Sequence, residues 1–264
     1  MAITTNPMKA ALAAGRVQIG TWINLVRNPA VLTLLKAAGL DYARIDMEHS
    51  SPSIETVADM AVLARALAFP LVVRPPEGSR EWITRLLDVG VWGLHVPQVD
   101  TPDLAREVVR AARYAPAGGR GMAGLGPHND FAPSGEPRAD QAFLNEQVHV
   151  TVMLESAAAF RHLDAIVGTP GVDAVTLGPS DLAQELGVFG TPEQGRVLDE
   201  HRERLLAAAA RHGKDVAMLV QTLEEAERWL AAGAKIIAYA SDAAVLRSGY
   251  AAAVRRLRPQ MSDE

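Results

Sequence analysis

Eight short apolar, β-branched runs alternate with eight amphipathic stretches along the 264 residues, and few folds accept that rhythm. The strand candidates are VQIGTWI (17–23), YARID (42–46), PLVVR (70–74), WGLHVP (92–97), VTVML (150–154), VDAVTL (172–177), DVAMLV (215–220) and KIIAYA (235–240). Helical spacing fills the intervals, as in PAVLTLLKAAG, EWITRLLDVG and DLAREVVRAARYA. Several of these stretches stop at a glycine just before the next strand, as in RHGKDV and AAGAKI. Eight strand–helix units in about 250 residues predict a (β/α)8 barrel, with 1–264 as a single domain. A doubly wound open sheet is the competing reading, because counting units does not establish closure. Against it, no GxGxxG turn follows the first strand.

One segment breaks the pattern of short connections. Residues 115–148 are rich in Gly and Pro, and a stretch of this length reads as a functional lid or a partly disordered loop. Its GGRGMAGLG portion follows a helix rather than a strand, which makes it a weak phosphate cradle.

Composition narrows the partners. Hydrophobic residues make up 48% of the chain, enough for a large core, and there are no cysteines, so disulfides, thiolate metal sites and cysteine nucleophiles are excluded. A net charge of −5 without any basic run argues against nucleic acid. The opening MAITTNPMKAALAAGR lacks the basic start and apolar stretch of a signal peptide, and no window approaches the roughly 18 apolar residues of a membrane span. A soluble, cytoplasmic protein without a membrane partner is expected.

In a barrel the chemistry lies at the C-terminal ends of the strands. Strand two ends in Asp46, Glu48 and His49, strand three in Arg74, strand five runs into Glu155, and strand six leads through LGPSDL to Asp181. Each has a plain structural alternative: a hydrogen-bonded histidine, helix caps at Asp181 and Glu155, a bridging arginine. Their convergence on one rim favours an active site. Carboxylates without cysteine favour a hard divalent ion, Mg²⁺ or Mn²⁺, suited to binding a 2-oxo acid through its carboxylate and keto oxygens. Arg74 could then stabilise an enolate, and His49 is a suitable base. Of the four lysines, Lys214 and Lys235 open strands seven and eight, the wrong ends for a Schiff base.

The segments GTW (20–22), IDMEH (45–49), VVRPPEGS (72–79), LLDVG (86–90), VPQVDT (96–101), GGRG (118–121), LES (154–156) and LGPSDLAQELG (177–187) resemble the HpcH/HpaI aldolase family, nearest its metal-dependent pyruvate aldolase branch. The resemblance implies reversible cleavage of 4-hydroxy-2-oxo acids to pyruvate and an aldehyde, with Mg²⁺, Mn²⁺ or Co²⁺ and no organic cofactor. It implies a homo-oligomer, a hexamer built as a trimer of dimers that exchange a C-terminal helix, here about 241–257. By motif, His49 resembles the base, Asp88 the acid that pairs with it, and Arg74 the arginine on the keto oxygen. Glu155 and Asp181 resemble the metal ligands, and Asp46 and Glu48 the acids around the metal's water. Gly178, Pro179, Ser180 and Asp181 would receive the pyruvate carboxylate, and Trp22 would wall the pocket. Spacing alone reads Asp88 as a surface helical residue.

The chain also departs from the pattern, at Met47 where the family usually has glycine, in the run GMAGLGPHNDFAPSG, and in MLVQT, which brings Gln221 near the rim. These changes are expected where the aldehyde portion sits. The competing activities are a CoA-thioester lyase of the same superfamily, an oxaloacetate-decarboxylating relative and a barrel retained only for binding. The last predicts broken site residues, and none is broken.

Overall fold

The structure, a computed structural model, describes residues 3–132 and 135–258. Its strands are β1 (Gln18–Ile23), β2 (Tyr42–Asp46), β3 (Leu71–Arg74), β4 (Gly93–Val96), β5 (His149–Leu154), β6 (Ala174–Leu177), β7 (Asp215–Val220) and β8 (Ile236–Ser241). All pair in parallel in chain order, and β8 closes on β1, so the barrel is shut and the open sheet is excluded. Strands covered on both faces carry nearly unbroken apolar runs. That is why YARID and VTVML look so unlike surface strands; every residue of β2 and β5 is buried.

The helices are α1 (Pro7–Ala13), α2 (Ala30–Ala37), α3 (Ile54–Ala66), α4 (Arg80–Asp88), α5 (Pro102–Ala112), α6 (Pro137–Gln147), α7 (Ala157–Arg161), α8 (Leu163–Val167), α9 (Pro179–Glu185), α10 (Gln194–His212), α11 (Leu223–Ala231) and α12 (Asp242–Leu257). Ser53, Ser79, Thr101, Ser156, Thr222 and Ser241 each accept a backbone N–H at a helix start. These caps satisfy first-turn donors on the side of the barrel where the strands end. Asp242 accepts N–H groups from Asn24, Leu25 and Val26 at 2.8–3.0 Å, tying the loop after β1 to the same side.

The opposite end is plugged. Met8 and Leu12 of α1 pack on Tyr42, Val72, Ala174, Ala217 and Ile236 inside the barrel. Asn6 caps α1 and its buried amide also donates to the Gln147 carbonyl at 2.7 Å.

The described residues of 115–148 do not line the cavity at the strand ends as a lid would. Residues 137–147 are α6, and Asp130 accepts from Arg65 at the far end of α3 at 2.5 and 2.8 Å, and from the Thr4 backbone at 2.7 Å. The segment therefore covers the plugged end, held there by an ion pair that Arg65, buried against Trp92, requires. Among the described residues no helix is long and apolar enough to cross a membrane.

Candidate active site

A cavity of about 270 Å³ opens where the strands end, lined by Trp22, Asp46, His49, Arg74, Glu155, the turn Gly178–Asp181, and Gln221. The parallel register of β2 and β3 sets Asp46 beside Arg74. Asp46 Oδ1 accepts from Arg74 Nε at 2.9 Å and Oδ2 from Nη2 at 2.7 Å. The Glu48 and His49 backbone N–H groups also donate to Asp46 Oδ1, folding the chain back sharply after the strand. Burial opposes the charge on Asp46, but the Arg74 hydrogen bonds and charge outweigh it and hold the carboxyl below its usual range.

Arg74 Nη1 lies 3.0 Å from Glu48 Oε2, and its guanidinium stacks 4.8 Å from the Trp22 ring. A guanidinium has five N–H donors; Asp46 takes two by hydrogen bonds and Glu48 meets Nη1 as an ion pair without a hydrogen bond, which leaves donors for a ligand. The bridge foreseen as the plain alternative for Arg74 exists, and it fixes the side chain at the pocket without consuming it. His49 is exposed, with Nε2 3.7 Å from Glu48 Oε2.

Glu155 is 5% exposed and has no basic side chain bonded to it. Its Oε1 accepts the Gln98 backbone N–H at 2.6 Å. Gln98 presents that N–H from a left-handed conformation, φ 54°, rare for a residue with a side chain. Burial, followed by the charges of Glu48 and Asp181, pushes the Glu155 carboxyl up to about 7. Glycine at 178 is required for space, since a Cβ there would meet Glu155 Oε2 at 2.3 Å. Neither acid caps a helix: Ser156 caps α7, and Asp181 lies in the first turn of α9, which begins at Pro179 after Gly178. Among the described residues no three acids and histidines form a ready-made metal cage.

Within one chain, three features lie elsewhere than the sequence suggests. Asp88 ends α4 at the plugged end of the barrel, a strand's length from His49, where its Oδ1 accepts from the buried Arg120 at 2.5 Å. A helix that runs back against the strands necessarily carries its last residue away from the rim. Met47 does not line the pocket; its side chain points outward into the core between strands and helices, with its N–H donating to the Arg74 carbonyl. The described residues of the GMAGLGPHNDFAPSG run, 121–132 and 135, likewise do not line the pocket, whereas Gln221 does; residues 133 and 134 lie outside the described residues. The cavity is also lined by residues that the sequence alone does not single out, and two of them are basic. Arg44 and His95 sit inside β2 and β4, each 1% exposed.

The profile of the HpcH/HpaI aldolase/citrate lyase family matches residues 18–249. The chain belongs to this family. It is similar to 5-keto-4-deoxy-D-glucarate aldolase of Klebsiella pneumoniae, 36% identical over 250 residues, with 94% of each chain covered. The homologous aldolase of Citrobacter koseri is 36% identical over 246 residues, covering 93% of this chain and 94% of that one. Among solved structures, an HpcH/HpaI aldolase from Desulfitobacterium hafniense superposes with TM-score 0.90 at 29% identity, over 97% and 98% of the two chains. A family member from Burkholderia cenocepacia gives 0.85 at 32%, over 96% and 100%.

Proposed function

We propose that the protein is a divalent-metal-dependent aldolase that cleaves a 4-hydroxy-2-oxo acid into a 2-oxo acid such as pyruvate and an aldehyde. The observation that carries this reading is the meeting of Glu155, Asp181, Arg74 and His49 around one cavity. Relatives over 90% of the chain that bear an aldolase name support it.

Glu155 and Asp181 fit a hard cation. Both offer oxygen, Glu155 is desolvated beside other acids, and the missing Cβ of Gly178 leaves its Oε2 free of crowding. A bound Mg²⁺ or Mn²⁺ would supply Lewis acidity for the carboxylate and keto oxygens of the substrate. The chain's own groups do the rest. The Gly178 N–H is spent on the Leu154 carbonyl and Pro179 has none, so the first-turn N–H groups of Ser180 and Asp181 are the ones offered to the substrate carboxylate. Arg74, held by Asp46, offers its remaining N–H donors to the keto oxygen. His49 takes the 4-hydroxyl proton, the C3–C4 bond breaks to leave aldehyde and enolate, and C3 is then protonated to give the 2-oxo acid. Arg74 lowers the energy of the enolate because its charge is already fixed before the bond breaks. None of the four lysines lines the cavity, so an amine route has no candidate.

In this reading Asp88 reaches His49 only from a second copy of the chain. The exposed face of α12, with Val245, Leu246, Tyr250, Val254 and Leu257, supports such an assembly, because an apolar face this size is normally covered. Pyruvate release from 4-hydroxy-2-oxo acids is expected to stop in EDTA and return with Mg²⁺, Mn²⁺ or Co²⁺. Release that persists in chelator would overturn the metal-dependent reading.

A further inference from the structure

Below the Arg74–Asp46 pair the cavity continues into the barrel. Arg44 precedes Asp46 by two residues on β2, so it shares the inward face and lies roughly 6–7 Å deeper. It is 1% exposed, its Nε and Nη2 have no hydrogen-bond partner, and among the described residues no carboxylate pairs with it. Its guanidinium lies 5.0 Å from the Trp22 ring and 5.7 Å from the Tyr42 ring. Those faces support a cation without neutralising it. Both ring nitrogens of His95 and the Trp22 indole N–H are buried and unpartnered as well. Burial, with Arg44 and Arg74 close by, holds His95 well below its usual range, so it stays neutral and brings no second charge.

The two arginines of the cavity are thus opposites. Arg74 is matched by two acids, whereas Arg44 is matched by none and cannot shed its proton. A buried charge without a counter-ion is so unfavourable that proteins pair it, and Arg44 lines the cavity.

We infer that Arg44 is a specificity-determining residue that receives a carboxylate of the substrate at the cavity floor, so that the 2-oxo acid handled here is a short diacid. One carboxylate would lie at the Gly178 turn and the other on Arg44, with His95 and the Trp22 indole N–H beside it. The substrate class rests on the aldolase reading; the anion-binding floor rests only on the unpaired donors.

The test is calorimetric titration of the Mg²⁺-loaded protein with succinate and with butyrate, acids of equal length that differ by one carboxylate. Succinate is expected to bind at least about tenfold more tightly, the factor a charge-assisted hydrogen bond gives. Arg44→Met should bring the two acids together, and Arg44→Lys should keep part of the difference. Equal binding by the unmodified protein would overturn the inference even if no Arg44 variant folds. A preference for succinate that survives in Arg44→Met would also overturn it. Phosphate that matches succinate on the unmodified protein and weakens equally in Arg44→Met would reduce the floor to a simple anion site and overturn the diacid assignment. Exchange of the C3 protons of pyruvate and of 2-oxoglutarate in D₂O separates the two readings, since exchange of either acid upholds the aldolase. Exchange without succinate preference removes the role of Arg44 and leaves the aldolase; succinate preference without exchange does the reverse.

Discussion

At the scale of single residues, the site is a contest between burial and charge that Arg74 wins for Asp46 and that nothing in the chain wins for Glu155. Arg74→Ala removes the enolate's partner and leaves Asp46 buried without its counter-ion, so methyl-proton exchange of pyruvate in D₂O should fall by at least about a hundredfold. Normal exchange would strip Arg74 of its role. Gly178→Ala drives a methyl group against Glu155 Oε2. Manganese binding, read by electron paramagnetic resonance, should weaken about tenfold to a hundredfold. Unchanged binding would mean that Glu155 is not a ligand. The rim residues were legible because a barrel tells the reader which strand ends matter. Arg44 was not, because YARID reads first as a strand, and the eye passes over a charge within an apolar run. The signal was present all the same: Arg44 has the same parity as Asp46 and so faces the same interior. Met47 has the opposite parity and faces away, which explains why it belongs to the core.

Among the elements, the eight strands were readable to within a residue or two, since two-sided burial forces continuous apolar sequence. Helix α1 escaped notice because seven residues give too few turns to establish a period. Its contribution is nevertheless considerable. Asn6→Ala removes a cap and leaves the Gln147 carbonyl unsatisfied in the interior, and should cost about 2 kcal/mol in urea unfolding. A variant as stable as the original would mean that α1 is dispensable. Residues 115–148 were misjudged for a different reason. Gly and Pro mark where regular structure stops, but they carry no information about which end of the barrel a loop covers. The ion pair of Arg65 and Asp130 decides that, and a pairing across 65 residues has no local signature.

For the whole molecule, two measurements follow. His149 is fully buried with Nε2 unpartnered, and burial lowers it from 6.5 to about 4. Between those values the unfolded chain takes up a proton that the folded one refuses, so stability present above pH 6.5 is lost as the pH falls toward 4. Urea unfolding at pH 5 should show a loss on the order of 2 kcal/mol relative to pH 7, and His149→Gln should flatten that slope. A slope unchanged in the variant would assign the loss elsewhere. The second measurement concerns assembly. If Asp88 serves His49 across an interface, separately inactive His49→Ala and Asp88→Ala proteins should regain activity when unfolded together and reassembled, because some mixed sites then hold both side chains. Mixtures that stay inactive would place Asp88 outside the reaction.

The plug formed by α1 has a kinetic consequence. With one end of the barrel stoppered, the cavity has a single doorway, and everything that enters must leave by the same route. In the proposed reaction the 2-oxo acid would sit deep, against Arg74 and Glu155, and the aldehyde outward beside the exposed His49. Departure would then be sequential, aldehyde first and 2-oxo acid last. Steady-state product inhibition should carry that imprint, with the 2-oxo acid competing directly against substrate and the aldehyde inhibiting noncompetitively.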